Sequence, residues 1–200
     1  MKHGLEEAAA ALGVGLDDEV ARRLRAFELM LIGRAVELGL VAPSDRGRIR
    51  ERHVLDCIRA VPVVVSGEVV YDLGSGAGLP GVVVAIARPD VTVRLVERRV
   101  KRVAFLELAI DELGLTNATV VAARVEDLTQ PADVCLARAF APLAQTWALA
   151  RPILRPGGRL VFFAGRTLDP AGIPENGAIE AVLETSLLES SGPLVIMTRQ

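Results

Sequence analysis

Two patterns of apolar positions divide the chain near residue 67. In the first part, apolar residues recur at helical spacing behind the acidic segment 17–19. An acidic N-cap ahead of an apolar stripe with this period predicts an amphipathic helix. Pro43 opens a second predicted helix that carries alternating arginines. Residues 1–66 therefore predict a small helical subdomain, with a loose terminus over 1–16, where no firm period is found.

From residue 68 onward, short β-branched runs alternate with helical segments. The runs predict strands at Val69–Asp72, Val91–Glu97, Thr119–Ala123, Asp133–Ala137, Arg159–Phe163 and Leu194–Met197. Helices are predicted from Pro80 and around Val103, and Gly114 ends the second of them. Strands that alternate with helices favour right-handed crossovers and a doubly wound, mostly parallel sheet. The fold class is therefore α/β, with residues 67–200 forming a Rossmann-like domain.

A glycine-rich loop joins the first predicted strand to the helix at Pro80. Its glycines are Gly74, Gly76, Gly78 and Gly81. Glycine lets the backbone turn sharply and lets a ligand lie directly on the main chain, although a loop that only makes a turn is the alternative. The spacing also matches the dinucleotide fingerprint, which is weak evidence alone. Asp72 would repel a pyrophosphate, and Pro80 removes an N–H donor that a phosphate would use.

The acid that ends the second predicted strand completes this site. Glu97 is placed to accept hydrogen bonds from both hydroxyls of a ribose. Asp72 suits the positive amino-acid end of a ligand. A ligand with a ribose, an ammonium group and no phosphate is S-adenosylmethionine, which is the predicted cofactor.

Composition excludes several classes of protein. With 51% hydrophobic residues the chain can bury a core, which excludes intrinsic disorder. Two cysteines cannot form a disulfide framework. The start lacks the pattern of a signal peptide, and the most apolar stretch, residues 79–87, is far shorter than the roughly 20 residues of a membrane span. We therefore expect a cytoplasmic protein without a membrane partner. A formal charge of −2 means that nucleic acid would need local basic patches.

Six blocks in consistent order over residues 20–165 resemble one family. The blocks are Arg-His-Val-Leu-Asp (52–56), Asp-Leu-Gly-Ser-Gly-Ala-Gly-Leu-Pro-Gly (72–81), Ala-Ile-Ala-Arg-Pro-Asp (85–90), Lys-Arg-Val-Ala-Phe-Leu (101–106), Arg-Val-Glu-Asp (124–127) and Arg-Ala-Phe-Ala (138–141). The chain is similar to the class I S-adenosylmethionine-dependent methyltransferases. Within them it resembles the bacterial 16S rRNA guanine-N7 methyltransferases, also called glucose-inhibited division protein B. The Gly-Leu-Pro-Gly ending and the later Arg-Ala-Phe are more specific than the generic methyltransferase loop.

The resemblance implies a seven-stranded sheet and methyl transfer to N7 of a guanine in the 530 loop of 16S rRNA. With the loop reasoning above, it gives the predicted cofactor residues: Asp72, Gly74, Gly76, Gly78, Leu79, Glu97, Val125, Glu126 and Arg138. The chain departs from the family in three places. Residues 39–43 replace an aromatic-Asn and Asn-Leu-Thr segment, Glu97 replaces an aspartate, and Ala164-Gly165-Arg166 replaces Lys-Gly.

The implied chemistry needs positioning groups and no general base, because guanine N7 carries a free lone pair. Arg138 is expected to hold the base or its phosphate, with a salt bridge as the alternative. Phe140 is expected to stack on an unpaired base, with a core position as the alternative. His53 is a second positioning candidate, with a structural role as its alternative. Cys135 is expected to be buried and inert, and no cluster has metal-ligand spacing.

Basic residues collect near the cofactor loop although the chain is acidic. Segment 94–102 holds five basic side chains and one acid, and ordinary solvated helix faces are the alternative interpretation. The predicted RNA-binding residues are Arg52, Arg98, Arg99, Lys101, Arg102, Phe140 and Arg166. The expected partner is 16S rRNA or the 30S subunit, and the expected state is a monomer. The open alternatives are a methyltransferase for small molecules or proteins, a silent cofactor-binding subunit, and a dinucleotide oxidoreductase.

Overall fold

The computed structural model describes residues 4–166, 174, 178–188 and 191–200. Its N-terminal part is helical. The elements are α1 (Leu5–Ala11), α2 (Asp18–Met30) continued by a π-helical turn (Leu31–Ala35), a 3-10 helix (Pro43–Arg48), a π-helical turn (Arg50–Val54), α3 (Leu55–Ile58) and a 3-10 turn (Val61–Val63). The predicted arginine-rich helix is thus present over residues 43–58 in three helical geometries.

The remaining elements form the sheet and its covering helices. They are β1 (Val69–Leu73), α4 (Gly81–Ala87), β2 (Thr92–Val96), α5 (Val100–Leu113), β3 (Ala118–Val121), a 3-10 turn (Val125–Asp127), β4 (Ala132–Arg138), α6 (Leu143–Ala150), β5 (Leu154–Phe163), β6 (Ala178–Leu183) and β7 (Leu194–Thr198). Within the described ranges no helix has both the length and the apolar character needed to cross a membrane.

The N-terminal residues correct one prediction. Segment 1–16 was expected to be loose, but it contains α1, in which Leu5 and Ala9 are buried. The alanine-rich stretch favours a helix, and the spacing of four residues brings both side chains to one face. That face packs into the core, so burial rather than a visible sequence period orders this segment.

Seven strands form one sheet in the order β3-β2-β1-β4-β5-β7-β6. Strands β1 to β5 are parallel, and β7 runs antiparallel to both of its neighbours. All six predicted strands are present, and the predicted doubly wound α/β fold is confirmed. Edge strand β6 was not predicted, because its adjacent apolar residues Val182 and Leu183 are both exposed and no clear alternation of apolar and polar positions marks it. The strand order reverses between β1 and β4, which is where ligands bind in open α/β sheets.

The two faces of the sheet bury separate apolar clusters. One joins the N-terminal helices to α4 and α5, with Leu24, Phe27 and Leu106 among its members. The other lies around Trp147 and Tyr71. Burial on both faces explains the nearly continuous apolar runs in β1 and β4. Residues on both sides of position 67 share the first cluster, and the division into 1–66 and 67–200 stays a prediction.

Candidate functional site

A cavity of about 460 Å³ opens at the carboxyl edge of the sheet, within the usual range for small-molecule sites. Each wall comes from the segment that follows a strand. Gly74 follows β1, Val96 ends β2 and residues 97–99 follow it, residues 123–126 follow β3, and residues 139–141 follow β4. Arg102 of α5 and Gln145 and Leu149 of α6 complete the lining. The topology therefore brings four separate loops to one site.

The glycine loop is shaped by close approaches that a side chain would prevent. At Gly74 the backbone has a φ of +70°, and a Cβ there would lie 2.5 Å from the ring of Phe140. At Gly81 a Cβ would lie 2.4 Å from Leu95 and 2.6 Å from the Asp72 carboxylate. The first glycine lets an aromatic ring rest on the loop, and the second lets α4 approach the sheet closely. The loop is thus fitted to its neighbours as well as to a ligand.

Glu97 ties the loop after β2 to the glycine loop. The side chain is buried, and its Oε2 accepts a hydrogen bond from the Gly76 N–H at 3.2 Å. Its Oε1 accepts from the N–H groups of Arg98 and Arg99, both at 2.9 Å. Arg102 Nη1 lies 3.4 Å from Oε2. The carboxylate lines the cavity, and it also organises two walls, a role that the sequence analysis did not find.

Asp72 lies behind the glycine loop rather than in the cavity wall. Its Oδ2 accepts a hydrogen bond from the Gly81 N–H at 3.0 Å. Its Oδ1 is buried without a partner among the described residues. Burial raises the pKa of this carboxyl group to about 7, because desolvation disfavours the charged form. An orphaned buried carboxylate oxygen favours a cationic group nearby, so the residues present fit the ammonium end of S-adenosylmethionine.

Arg138, at the end of β4, is held by the N-terminal helical part. Its Nε donates to Asp56 Oδ2 at 3.1 Å, and its Nη2 donates to the Arg52 carbonyl at 2.9 Å. Nη2 also lies 3.0 Å from His53 Nδ1. Nη1 has no hydrogen-bond partner among the described residues. The predicted alternative, a salt bridge, is therefore present, and it leaves one end of the guanidinium for a ligand.

His53 is a neutral link in this network. Because an arginine can only donate, Nδ1 accepts from Arg138 and the proton sits on Nε2, which donates to Asp45 Oδ2 at 3.1 Å. Burial first, and then the charge of Arg138, lowers the pKa of His53. Asp56 also accepts from Arg59 Nη1 at 2.8 Å. Sequence reasoning missed the roles of Asp45 and Asp56, although Asp56 lies inside a recognised block.

The predicted residues fall into four places. Those that line the cavity are Gly74, Glu97, Arg98, Arg99, Arg102, Val125, Glu126 and Phe140. Those outside its wall are Asp72, Gly76, Gly78 and Leu79 at the loop, Arg52, His53 and Arg138 in the network, and exposed Lys101 and Arg166. The cavity residues that the sequence analysis missed include Arg124, Gln145 and Leu149. Arg124 lies inside the recognised block 124–127, which could have pointed to it, whereas no sequence signal marked Gln145 or Leu149.

A strained residue separates Arg138 from Phe140. Ala139 has a φ of +51°, which side chains rarely adopt. Strain of this kind costs roughly 1–3 kcal/mol and concentrates at ligand sites. The turn sends Arg138 towards the helical part and Phe140, which is half-buried, towards Gly74 and the cavity.

Two other predictions concern reactive groups. Cys135 is fully buried, and burial raises the pKa of its thiol, as expected of an inert cysteine. Across the described ranges, no group of three or more histidine, cysteine or acidic side chains is arranged to hold a metal ion.

Comparison with known proteins identifies the family. The family model GidB, described as rRNA small subunit methyltransferase G, matches residues 21–171. The chain belongs to this family. It is 43% identical over 163 residues to the ribosomal RNA small subunit methyltransferase G of Leifsonia xyli, covering 80% of this chain and 76% of that protein. It is 42% identical over 146 residues to the protein of the same name from Mycolicibacterium gilvum, covering 70% of this chain and 64% of that protein.

The chain matches only part of the length of some relatives in the family. The match to the Kineococcus radiotolerans protein of the same name spans 59% of that protein. The chain therefore spans less than two thirds of the length of two of these three relatives. The family match confirms the sequence resemblance.

Solved structures support the same fold. The magnesium protoporphyrin IX methyltransferase of Synechocystis, solved with bound S-adenosylmethionine, superposes with a TM-score of 0.65 at 17% identity, covering 93% of this chain and 99% of that one. A methyltransferase from Aquifex aeolicus gives 0.60 at 14% identity, covering 84% and 98%. These likenesses confirm the fold of S-adenosylmethionine-dependent methyltransferases.

Proposed function

We propose that the chain transfers a methyl group from S-adenosylmethionine to N7 of a guanine in 16S rRNA, in the 530 loop. The observation that carries the proposal is the position of Arg138 at the end of β4, next to the point where the strand order reverses. Asp56 and His53 anchor its guanidinium group, and Nη1 has no hydrogen-bond partner among the described residues. A guanidinium N–H donates to guanine O6 or to a phosphate and leaves N7 free to attack. The relatives' names supply the class of substrate.

The cavity residues hold the cofactor in this proposal. S-adenosylmethionine, when bound, supplies an electrophilic methyl group on its sulfonium sulfur. Gly74, Glu97, Val125 and Glu126 all line the cavity; the Gly74 backbone and Glu97 would hold the ribose, and Val125 and Glu126 would hold the adenine. Asp72 attracts the ammonium group from behind the loop. These residues bind and orient, and none has to remove a proton because N7 has none.

Catalysis then depends on positioning the base. Arg138 aligns the guanine, and Phe140, half-buried against Gly74, stacks on it from the cavity side. Asp45, His53 and Asp56 act through Arg138 and are positioning residues. An unpaired guanine suits such a site, since sequence-specific proteins read RNA mostly in single strands.

Cationic side chains are proposed to meet the RNA. They are the exposed Arg52, Arg98, Arg99, Lys101 and Arg166, together with the half-buried Arg102. We place the reaction in the cytoplasm, with a monomeric enzyme that acts on naked 16S rRNA or on assembled 30S particles. Phosphate contacts of this kind make binding depend steeply on salt.

The test uses cofactor with a tritiated methyl group and the full chain. Naked 16S rRNA and 30S particles are incubated separately, and the product is treated with borohydride and aniline, which cleaves RNA at N7-methylguanosine. We expect label and cleavage at one guanine in at least one of the two RNA forms. Label in neither form, or label without cleavage, contradicts the proposal. Arg138→Lys is expected to lower kcat strongly, because one ammonium cannot reproduce the fork of contacts.

A further inference from the structure

The mouth of the cofactor cavity carries arginines without partners. Arg98, Arg99 and Arg124 line the cavity and are exposed. Their side chains make no ion pair or hydrogen bond within the described part of the chain. Elsewhere the guanidinium groups are mostly paired, as Arg88 is with Asp90 and Arg159 with Glu68. Three unpaired guanidinium groups therefore lie together where a ligand enters.

The protein itself leaves this charge uncompensated. Four arginines and two acids line the cavity. Glu97 already accepts three backbone N–H groups and lies near Arg102. Glu126 is a single exposed carboxylate in the same wall. Like charges gathered on one rim repel each other, so the rim favours an external anion.

The cofactor cannot supply an anion to these arginines, because they lie at the adenosine end of its predicted position. Glu97, Val125 and Glu126 mark the adenosine half of the predicted cofactor position, and adenosine is uncharged. The carboxylate of S-adenosylmethionine belongs to the opposite end, which carries an ammonium group and the sulfonium as well. A second ligand with repeated negative charges therefore fits the rim, and a guanidinium pairs with phosphate through two parallel hydrogen bonds.

We propose that the RNA backbone binds across Arg98, Arg99 and Arg124 and covers the mouth of the cavity. Arg98 and Arg99 follow β2 and Arg124 follows β3, so two walls contribute to the same cover. The cofactor then has to bind before the RNA, and the demethylated cofactor leaves after it. This inference rests on the proposed function, because it takes the polyanion to be the RNA substrate. It adds Arg124 to the RNA-binding residues and makes cofactor exchange depend on RNA.

Release of the demethylated cofactor tests the cover directly. Radiolabelled S-adenosylhomocysteine is bound to the full chain and chased with unlabelled compound, with and without a 16S rRNA transcript. We expect RNA to slow release, because the bound backbone lies across the mouth through which the compound leaves. At equilibrium, bound S-adenosylhomocysteine is expected to raise the affinity of the protein for RNA. Bound RNA is expected to raise the affinity of the protein for S-adenosylhomocysteine by the same factor.

Matched variants locate the effect. Arg124→Gln and Arg99→Gln are expected to bring the ratio of the two release rates close to one, and Arg124→Lys to keep part of the slowing. Arg151→Gln removes the same charge from an exposed residue after α6 that does not line the cavity, and it is expected to keep the full ratio. Each ratio is taken within one variant, so a change in intrinsic cofactor affinity cancels. Each rim variant is also expected to reduce the salt slope of RNA binding by about 1.

The outcomes separate this inference from the proposed function. If RNA leaves the release rate of the unmodified chain unchanged, or if both glutamine variants keep the full ratio, the cover is wrong. Methylation of 16S rRNA is measured in the same preparation. Methylation without slowed release overturns the cover alone, whereas absence of methylation counts against the proposed function.

Discussion

Replacing Asp56 by asparagine should cost the protein stability as well as activity. Asp56 accepts hydrogen bonds from both Arg59 and Arg138, and all three side chains are largely withdrawn from solvent, with exposures of 10%, 6% and 18%. Removing one partner of a buried ion pair costs about 3–5 kcal/mol. Arg59 keeps two carbonyl acceptors, and Arg138 keeps the Arg52 carbonyl and His53. We therefore expect the lower end of that range, about 3 kcal/mol.

The assay for Asp56→Asn is urea unfolding followed by circular dichroism, at pH 7.5 and fixed salt. Glu19→Gln is the matched control, because Glu19 pairs with Arg22 on the exposed face of α2 and such pairs contribute up to about 1 kcal/mol. A loss for Asp56→Asn no larger than that of the control would refute the view that this carboxylate fixes Arg138. Methyl transfer by the folded fraction should also fall.

Three further predictions test the site. Because the pKa of His53 is lowered by burial and by Arg138, the unfolded chain binds the proton more readily than the folded one. The free energy of unfolding should therefore fall as pH drops below 6.5. His53→Gln should flatten that dependence in urea titrations at pH 7.5 and 5.5. The pKa of Asp72 is raised from 3.8 to about 7, so the contribution of this carboxyl group to stability falls as pH rises across that window. Asp72→Asn should therefore be more stable than the parent at pH 8, yet bind S-adenosylmethionine more weakly in calorimetry. Equal stability of the two proteins at pH 8 would contradict the raised pKa. Gly74→Ala places a Cβ 2.5 Å from a ring atom of Phe140 and should lose both cofactor affinity and stability. Gly114→Ala is the control, because Gly114 has a similar φ but open space around it. The control should cost only about 1–2 kcal/mol in backbone strain.

Features carried by neighbouring residues could be predicted from the sequence. The apolar runs of β1 and β4 and the left-handed Gly114 at the end of α5, with a φ of +61°, depend on local backbone preferences. The position of Glu97 at the cavity also followed from local order, since the ends of parallel strands meet at one edge. Edge strand β6 escaped prediction because its adjacent apolar residues Val182 and Leu183 are both exposed and its register shifts between Ile179 and Ala181, which interrupts the alternation expected of a strand with one buried face.

Features that depend on distant partners could not be predicted. Arg138 meets Asp56 across 82 positions of the chain, and no local pattern shows which acid an arginine will find. The same holds for α1, whose order comes from the face it buries. The basic segment was visible as charge, but only the fold shows which guanidinium groups are left without partners.

The sequence by itself therefore determined the α/β class, the glycine loop and the family, because periodicity, turn chemistry and ordered motifs are local properties of the chain. The tertiary structure decided how Arg138 is held and that Arg98, Arg99 and Arg124 share one rim. It did so because pairing and cavity shape arise only when segments far apart in the chain pack together, and burial then determines which charges are compensated.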